Sequence, residues 1–264
     1  MVGGSIRGLV LLGMCASAVL AADERGMLAA APAGGIGARV GVVQRTPAAG
    51  RPVIRGSADA SRAWLGAEHR GLRLDKFANR KDGSLLVDLR FRSDHLAIAI
   101  DKAGGITVSR AGRPIRVDSP EAFEQLQQVL AGSDAVFAAR MLLAEREAVS
   151  DLRAPEMSLL STVAFVASLA GDVDAPRRIA TRFVEKHRGI YRQIRLATCF
   201  ETYTTESTDA WNDMQSCMDE ANQDSSMFSG AYRRVACNAI WLLRSESAWV
   251  EYIGCLGPGS LIPQ

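Results

Sequence analysis

The sequence predicts an α+β protein: an antiparallel β-meander covered by helices, followed by a mostly α-helical C-terminal region closed by disulfides. Three observations carry this expectation. Apolar and polar residues alternate through 72–117, the apolar spacing lengthens to that of a helix after Ser119, and the four cysteines beyond Cys15 all fall between Cys199 and Cys255.

The first 22 residues read as a signal peptide. Arg7 precedes an apolar run over 8–20, and the small pair Ala21-Ala22 stands before Asp23-Glu24. That run is shorter than the roughly 20 residues a membrane-spanning helix needs, so the mature chain is expected to carry no transmembrane segment. Leu12-Gly13-Met14-Cys15 resembles a lipoprotein signal, but Met14 stands where such signals want a small residue. Residues 23–63, rich in Ala, Gly, Arg and Pro and without periodicity, read as a flexible tail.

A body over 64–188 comes next. Leu85, Val87, Leu89 and Phe91 alternate with more polar neighbours, and Leu96-Ile98-Ile100, Ile106-Val108 and Ile115-Val117 continue the pattern. Asp82-Gly83, Ser93-Asp94, Gly104-Gly105 and Gly112 to Pro114 mark the turns, so four or five strands are expected within 72–117. A sheet with one apolar face needs a cover. Ser119-Pro120-Glu121 opens a helix with the stripe Phe123, Leu126, Val129 and Leu130, stopped at Gly132. Ser133-Asp134 caps the next, whose expected stripe is Val136, Phe137, Met141, Leu142 and Val149. The segment after Pro155 is apolar nearly all round, which marks a central buried helix.

From 176 to 195 seven basic residues stand against Glu185 alone, whereas from Cys199 onward nine acids stand against three arginines. Pairing between these halves is one expectation. A binding surface for an anionic partner, with Arg178 and Arg182 as candidate residues, is the other.

The last region, 189–264, matches itself when shifted by 38 positions: Cys199 falls on Cys237, Ser207 on Ser245, Ala210 on Ala248, Trp211 on Trp249 and Cys217 on Cys255. Each copy reads as a helical hairpin turning near Ser207-Thr208-Asp209 or Ser245-Glu246-Ser247. The favoured disulfides are then Cys199 to Cys217 and Cys237 to Cys255, with Cys217 to Cys237 and Cys199 to Cys255 as the competing scheme. Trp211 and Trp249, just past the turns, are expected to pack across each hairpin and are candidate binding residues.

Composition narrows the function without naming it. Charged residues at 23% and a net charge of +2 demand no specific nucleic acid and no anionic membrane. No phosphate loop, nucleophile elbow or metal-binding helix occurs, so no catalytic residue, metal or cofactor is assigned. The cysteine pattern suits an oxidising compartment. The expected protein is an exported, secreted or periplasmic, binding or structural module whose partner is a protein or another envelope component. Two alternatives stand beside it: the precursor of a secreted disulfide-bonded helical peptide, and a hydrolase whose site is assembled only in space.

Overall fold

The computed structural model describes residues 51–58, 62–79, 81–147, 149, 154–191, 198–223 and 227–256. The signal-peptide and lipoprotein readings, and the tail up to position 50, lie outside the described residues. Seven strands follow one another: β1 (Val53–Ala58), β2 (Arg62–His69), β3 (Leu72–Asn79), β4 (Ser84–Phe91), β5 (Asp94–Ile100), β6 (Ile106–Arg110) and β7 (Arg113–Val117). They form one antiparallel sheet in chain order. Five of them occupy 72–117 as the alternation predicts. The sheet also begins earlier than expected, since β1 lies inside the segment read as tail. Its sequence, Val-Ile-Arg-Gly-Ser-Ala, is too short and too rich in small residues to signal a strand alone, and it gains definition from the full ladder it forms with β2.

Tight turns fix the register. Arg70-Gly71 and Ala111-Gly112 each hold two successive residues at positive φ, as a two-residue hairpin with the twist of its strands requires. Every second residue then points to one face, and that face is buried: Leu65, Leu74, Val87, Leu89, Leu96, Ile98, Ile106 and Val108 are all within its core.

Helices cover this inner face. α1 (Pro120–Ala131) starts as the sequence predicts, with the Ser119 hydroxyl accepting from the Ala122 N–H, and ends at Gly132. α2 (Asp134–Glu147) lies against β3, β4 and β5. Its buried side is Ala135, Val136, Ala139, Leu142 and Leu143, whereas Phe137 and Met141, expected in the stripe, stand outward at 65% and 48% exposure. The small alanines let α2 sit close on the sheet, and that rotates the larger pair away. α3 (Ala154–Leu169) is the central helix, buried from Met157 through Leu169. α4 (Ala175–Tyr191) packs on α3 and on α5 (Thr198–Asn222), which pairs along its length with α6 (Met227–Leu256).

The α+β reading holds, including a helical C-terminal region with two disulfides. The two separate hairpins do not. Ser207-Thr208-Asp209 and Ser245-Glu246-Ser247 lie inside α5 and α6, so the two long helices form a single hairpin in place of two short ones. Cys199 is bonded to Cys255 and Cys217 to Cys237, with Cα separations of 5.6 and 5.8 Å, which is the competing scheme. The reason is geometric: both pairs are centred on residue 227, so in a single antiparallel hairpin each cysteine faces its partner. Serine, threonine and aspartate in mid-helix mimic caps in sequence. Here Thr208 satisfies its hydroxyl by donating to the Thr204 carbonyl one turn back.

Candidate functional site

Among the described residues the helices lie on the inner side of the sheet, and on the outer face three bands of side chains cross all four strands β2 to β5. The first band crosses four strands as Trp64, Phe77, Leu86 and Ala99, each directly opposite the next. The second is Gly66, Asp75, Asp88 and Ala97, and the third is Glu68, Arg73, Arg90 and His95. Water-facing strands normally carry polar residues at such positions, yet Phe77 is 41% exposed and the half-buried Trp64 lies beside it.

Gly66 and Asp75 hold the indole down. A Cβ at Gly66 would lie 2.6 Å from Cζ2 of Trp64, so the ring extends across the bare glycine, and its Nε1–H donates to Asp75 Oδ1 at 3.0 Å. Polar groups of the neighbouring bands are equally fixed. Asp88 accepts from Arg90 Nε at 2.8 Å, and its other oxygen is 2.8 Å from His95 Nε2. The same hydrogen bond, ahead of the Coulomb attraction, raises the Arg90 pKa. Asp75 stands opposite Asp88 and Arg73 opposite Arg90, two like-charge pairs that cost stability by themselves. The bands compensate each other only crosswise.

A second polar cluster is buried. Lys76, on the inner side of β3, is 2% exposed. Its Nζ lies 2.5 Å from Oε1 of Glu246 on α6 and donates to Ser158 Oγ on α3 at 2.5 Å, while Ser158 Oγ in turn donates to Glu246 at 3.1 Å. Burial pushes the Lys76 pKa below its ordinary value, against the charge and hydrogen bond of Glu246. A lysine beside a serine hydroxyl is the arrangement that activates a nucleophile when the amine is neutral. Here the carboxylate favours the ammonium form. The adjoining cavity, walled by Ser161, Phe183, Tyr203, Ser207 and Trp241, measures about 20 Å³, room for about one water molecule. The cluster acts as an internal ionic tie among sheet, α3 and α6.

The residues singled out from sequence are placed as follows. Trp249 is buried in a cluster with Tyr203 and Tyr252, the three ring centroids 5.1 to 6.3 Å apart. Trp211 is half-buried on α5, and the two tryptophans share no surface site. Arg178 donates to Asp172 through two nitrogens at 2.9 and 2.8 Å and to Glu147 at 3.1 Å, which holds its pKa above the ordinary value. Arg182 is half-buried and reaches the Val149 carbonyl at 3.4 Å. Thus Arg178 pairs upstream rather than with the acidic C-terminal half. Asp172 and Asp174 meet Arg178 and Arg234, and no cluster suited to a metal occurs among the described residues.

The sequence reading assigns no role to Trp64, Phe77 or Lys76, and takes Glu246 for a turn residue. A signal existed in Leu72-Arg73-Leu74-Asp75-Lys76-Phe77: the alternation that buries Leu72 and Leu74 points Lys76 inward and Phe77 outward, the reverse of their solubilities. No known protein family matches the chain, and no curated protein or solved structure is similar to it.

Proposed function

We propose that the protein is an exported binding module of the envelope or extracellular space, and that the open face of its sheet is the binding surface. The observation that carries the reading is the apolar band of the exposed Phe77 between the half-buried Trp64 and Leu86, on a face that a solvated sheet would keep polar. Export is supported by the signal-like first 22 residues and by two disulfides, bonds that persist in oxidising compartments. Among the described residues no helix is long and apolar enough to cross a membrane.

The structural-role reading predicts an inert outer face, and the binding reading predicts a sensitive one. Expression of the full gene with N-terminal sequencing of the exported chain tests the first step. Cosedimentation of that chain with isolated cell envelopes tests the second. The wild-type chain should cosediment, and a folded Phe77→Asp/Leu86→Asp variant should stay in solution. Equal behaviour of the two chains would end the proposal.

A further inference from the structure

We propose that the outer face of the sheet docks on an anionic lipid surface: its exposed arginines meet the phosphate headgroups of a bilayer, and Phe77 enters the headgroup layer near the middle of the face. The inference rests on the binding-module reading above and names the partner of that face.

Charge over all seven strands carries it. Residues opposite one another in the register share a face, so the outer side holds Arg55 on β1, Arg62 on β2, Arg73 on β3, Arg90 on β4 and Arg116 on β7. Its acids are Glu68, Asp75 and Asp88. Exposure widens the excess. All five arginines are exposed, whereas Asp75 and Asp88 are half-buried and already engaged, Asp75 by the Trp64 indole and Asp88 by Arg90 and His95. Of the three acids only Glu68 is exposed. The described turns and strand ends at the margins lean the same way, with Arg70, Lys81, Arg92, Lys102 and Arg113 exposed against Asp82, Asp101 and Asp118. The chain's net charge of +2 conceals this excess, because acids gather elsewhere: α5 alone carries six acids and no base. A partner at the face feels the charges within about a Debye length, about 8 Å at physiological salt, rather than the sum over the molecule.

The layout selects the kind of anion. The five arginines stand on five different strands and in four different rows of the register. With strands about 4.8 Å apart, they are spread over about 29 Å from β1 to β7. A linear polyanion follows a stripe of cations, and no row holds more than two of these arginines. A small anion needs a concave site, and a protein interface needs an apolar centre from which charges are depleted. Here one large apolar side chain, Phe77, is exposed, with Trp64 and Leu86 half-buried beside it. A bilayer presents phosphates over a whole plane, so cations count wherever on the face they stand, each strengthening binding roughly fivefold. The aromatic pair fits the same partner. The Trp64 indole lies across Gly66 with its one donor spent on Asp75, so beside Phe77 it offers ring surface within a basic surround, the composition of an interfacial membrane-binding surface.

The test is cosedimentation of the full exported chain with vesicles of equal parts phosphatidylglycerol and phosphatidylcholine, and with vesicles of phosphatidylcholine alone. The protein should bind the mixed vesicles and leave the neutral ones. Salt at about 1 M, where the Debye length falls to about 3 Å, should release it. Arg55→Gln/Arg73→Gln should weaken binding roughly 25-fold, and Phe77→Ala should weaken it as well. Arg140→Gln/Arg177→Gln removes the same charge from exposed positions on α2 and α4 and should bind as wild type. Thermal melting establishes that each variant is folded. Five results would overturn the assignment. Equal weakening by the two double variants would make net charge, not this face, the cause. Equal binding to neutral vesicles, or binding that survives the salt, would remove the role of the arginines. A dimer in sedimentation equilibrium that Phe77→Asp dissociates would mean that a second copy covers the face. Envelope cosedimentation that depends on Phe77 and Leu86 without binding to either vesicle would assign the face to a protein or a polymer, leaving the binding-module reading intact. Failure with vesicles and envelopes alike would remove the two readings together.

Discussion

Lys76 Nζ and Glu246 Oε1 lie 2.5 Å apart inside the protein, joining the centre of the sheet to the last helix. The pair links the meander to the disulfide-bonded hairpin through an interaction that either partner alone would make worse. An isolated buried charge costs several kcal/mol, and the mutual attraction with the help of Ser158 offsets that cost. Lys76→Met should therefore destabilise by about 3–5 kcal/mol, because Glu246 is left buried without its partner. The double variant Lys76→Met/Glu246→Leu should recover most of the loss. Urea denaturation of both, completed as a double-mutant cycle, measures the coupling; additive losses would mean the two charges do not depend on each other.

Because Glu246 belongs to α6, the hairpin and the sheet should unfold as one unit. The nested bonds close chain separations of 56 and 20 residues. Chain-entropy reasoning values such loops at about 4 and 3 kcal/mol taken singly, and the outer one at less once the inner is formed. Reduction is thus expected to lower the melting temperature of the whole molecule in a single transition. Circular dichroism at wavelengths reporting helix and sheet would separate if the sheet survived alone. Unreduced peptide mapping should give a fragment linking Cys217 to Cys237, and one linking Cys199 to Cys217 would contradict the structure.

What the sequence made legible was whatever depends on short-range pattern. The alternation in 84–100, the Ser119 cap and the continuous apolar run of α3 each act within a few residues, and each appears where the pattern places it. The errors arose where neighbours distant in sequence decide. Glu246 reads as a turn residue between two serines until Lys76 arrives from the sheet to neutralise it. Phe137 reads as core until the alanines of α2 set which side meets the strands. The 38-residue match suggested two hairpins, but cysteines placed symmetrically about 227 serve one hairpin equally well. The alternation in 72–77 sets Phe77 opposite to Leu72 and Leu74, but which of the two faces the helices cover is decided by packing between elements distant in the chain.

The sheet is joined to the α1–α2 corner by Asp94, at the start of β5. Its carboxylate accepts from the Ser133 hydroxyl at 2.6 Å, the Ala135 N–H at 3.1 Å and Arg110 Nε at 3.0 Å. Arg110 also donates to the Gly132 carbonyl at 2.7 Å. Burial alone would raise the Asp94 pKa, but these hydrogen bonds outweigh it and hold the group below its ordinary value. The stability this contributes is present above the unfolded pKa near ~3.9 and is lost as pH falls through the lower folded value. Asp172, lowered mainly by its hydrogen bonds to Arg178, acts in the same direction. Asp94→Asn should cost about 1–3 kcal/mol at neutral pH and flatten the loss of stability below about pH 4. An unchanged acid limb in pH-dependent urea melts would exclude Asp94 as a contributor.

Trp211 and Trp249 occupy matching positions in the sequence repeat and unequal ones in the fold. Two equivalent hairpins would make their replacement equally costly. In the single hairpin, Trp249 is 6% exposed and packs against Tyr203 and Tyr252, so Trp249→Ala should cost about 3–5 kcal/mol through the cavity it leaves. Trp211 is half-buried, and its Nε1 has no hydrogen-bond partner among the described residues. Trp211→Phe therefore removes no hydrogen bond and should be close to neutral, and Trp211→Ala should cost clearly less than Trp249→Ala. Chemical denaturation of the three variants decides the matter: equal losses at the two positions would restore the repeat as a structural unit, whereas the inequality makes it a pattern in the sequence that the fold does not repeat.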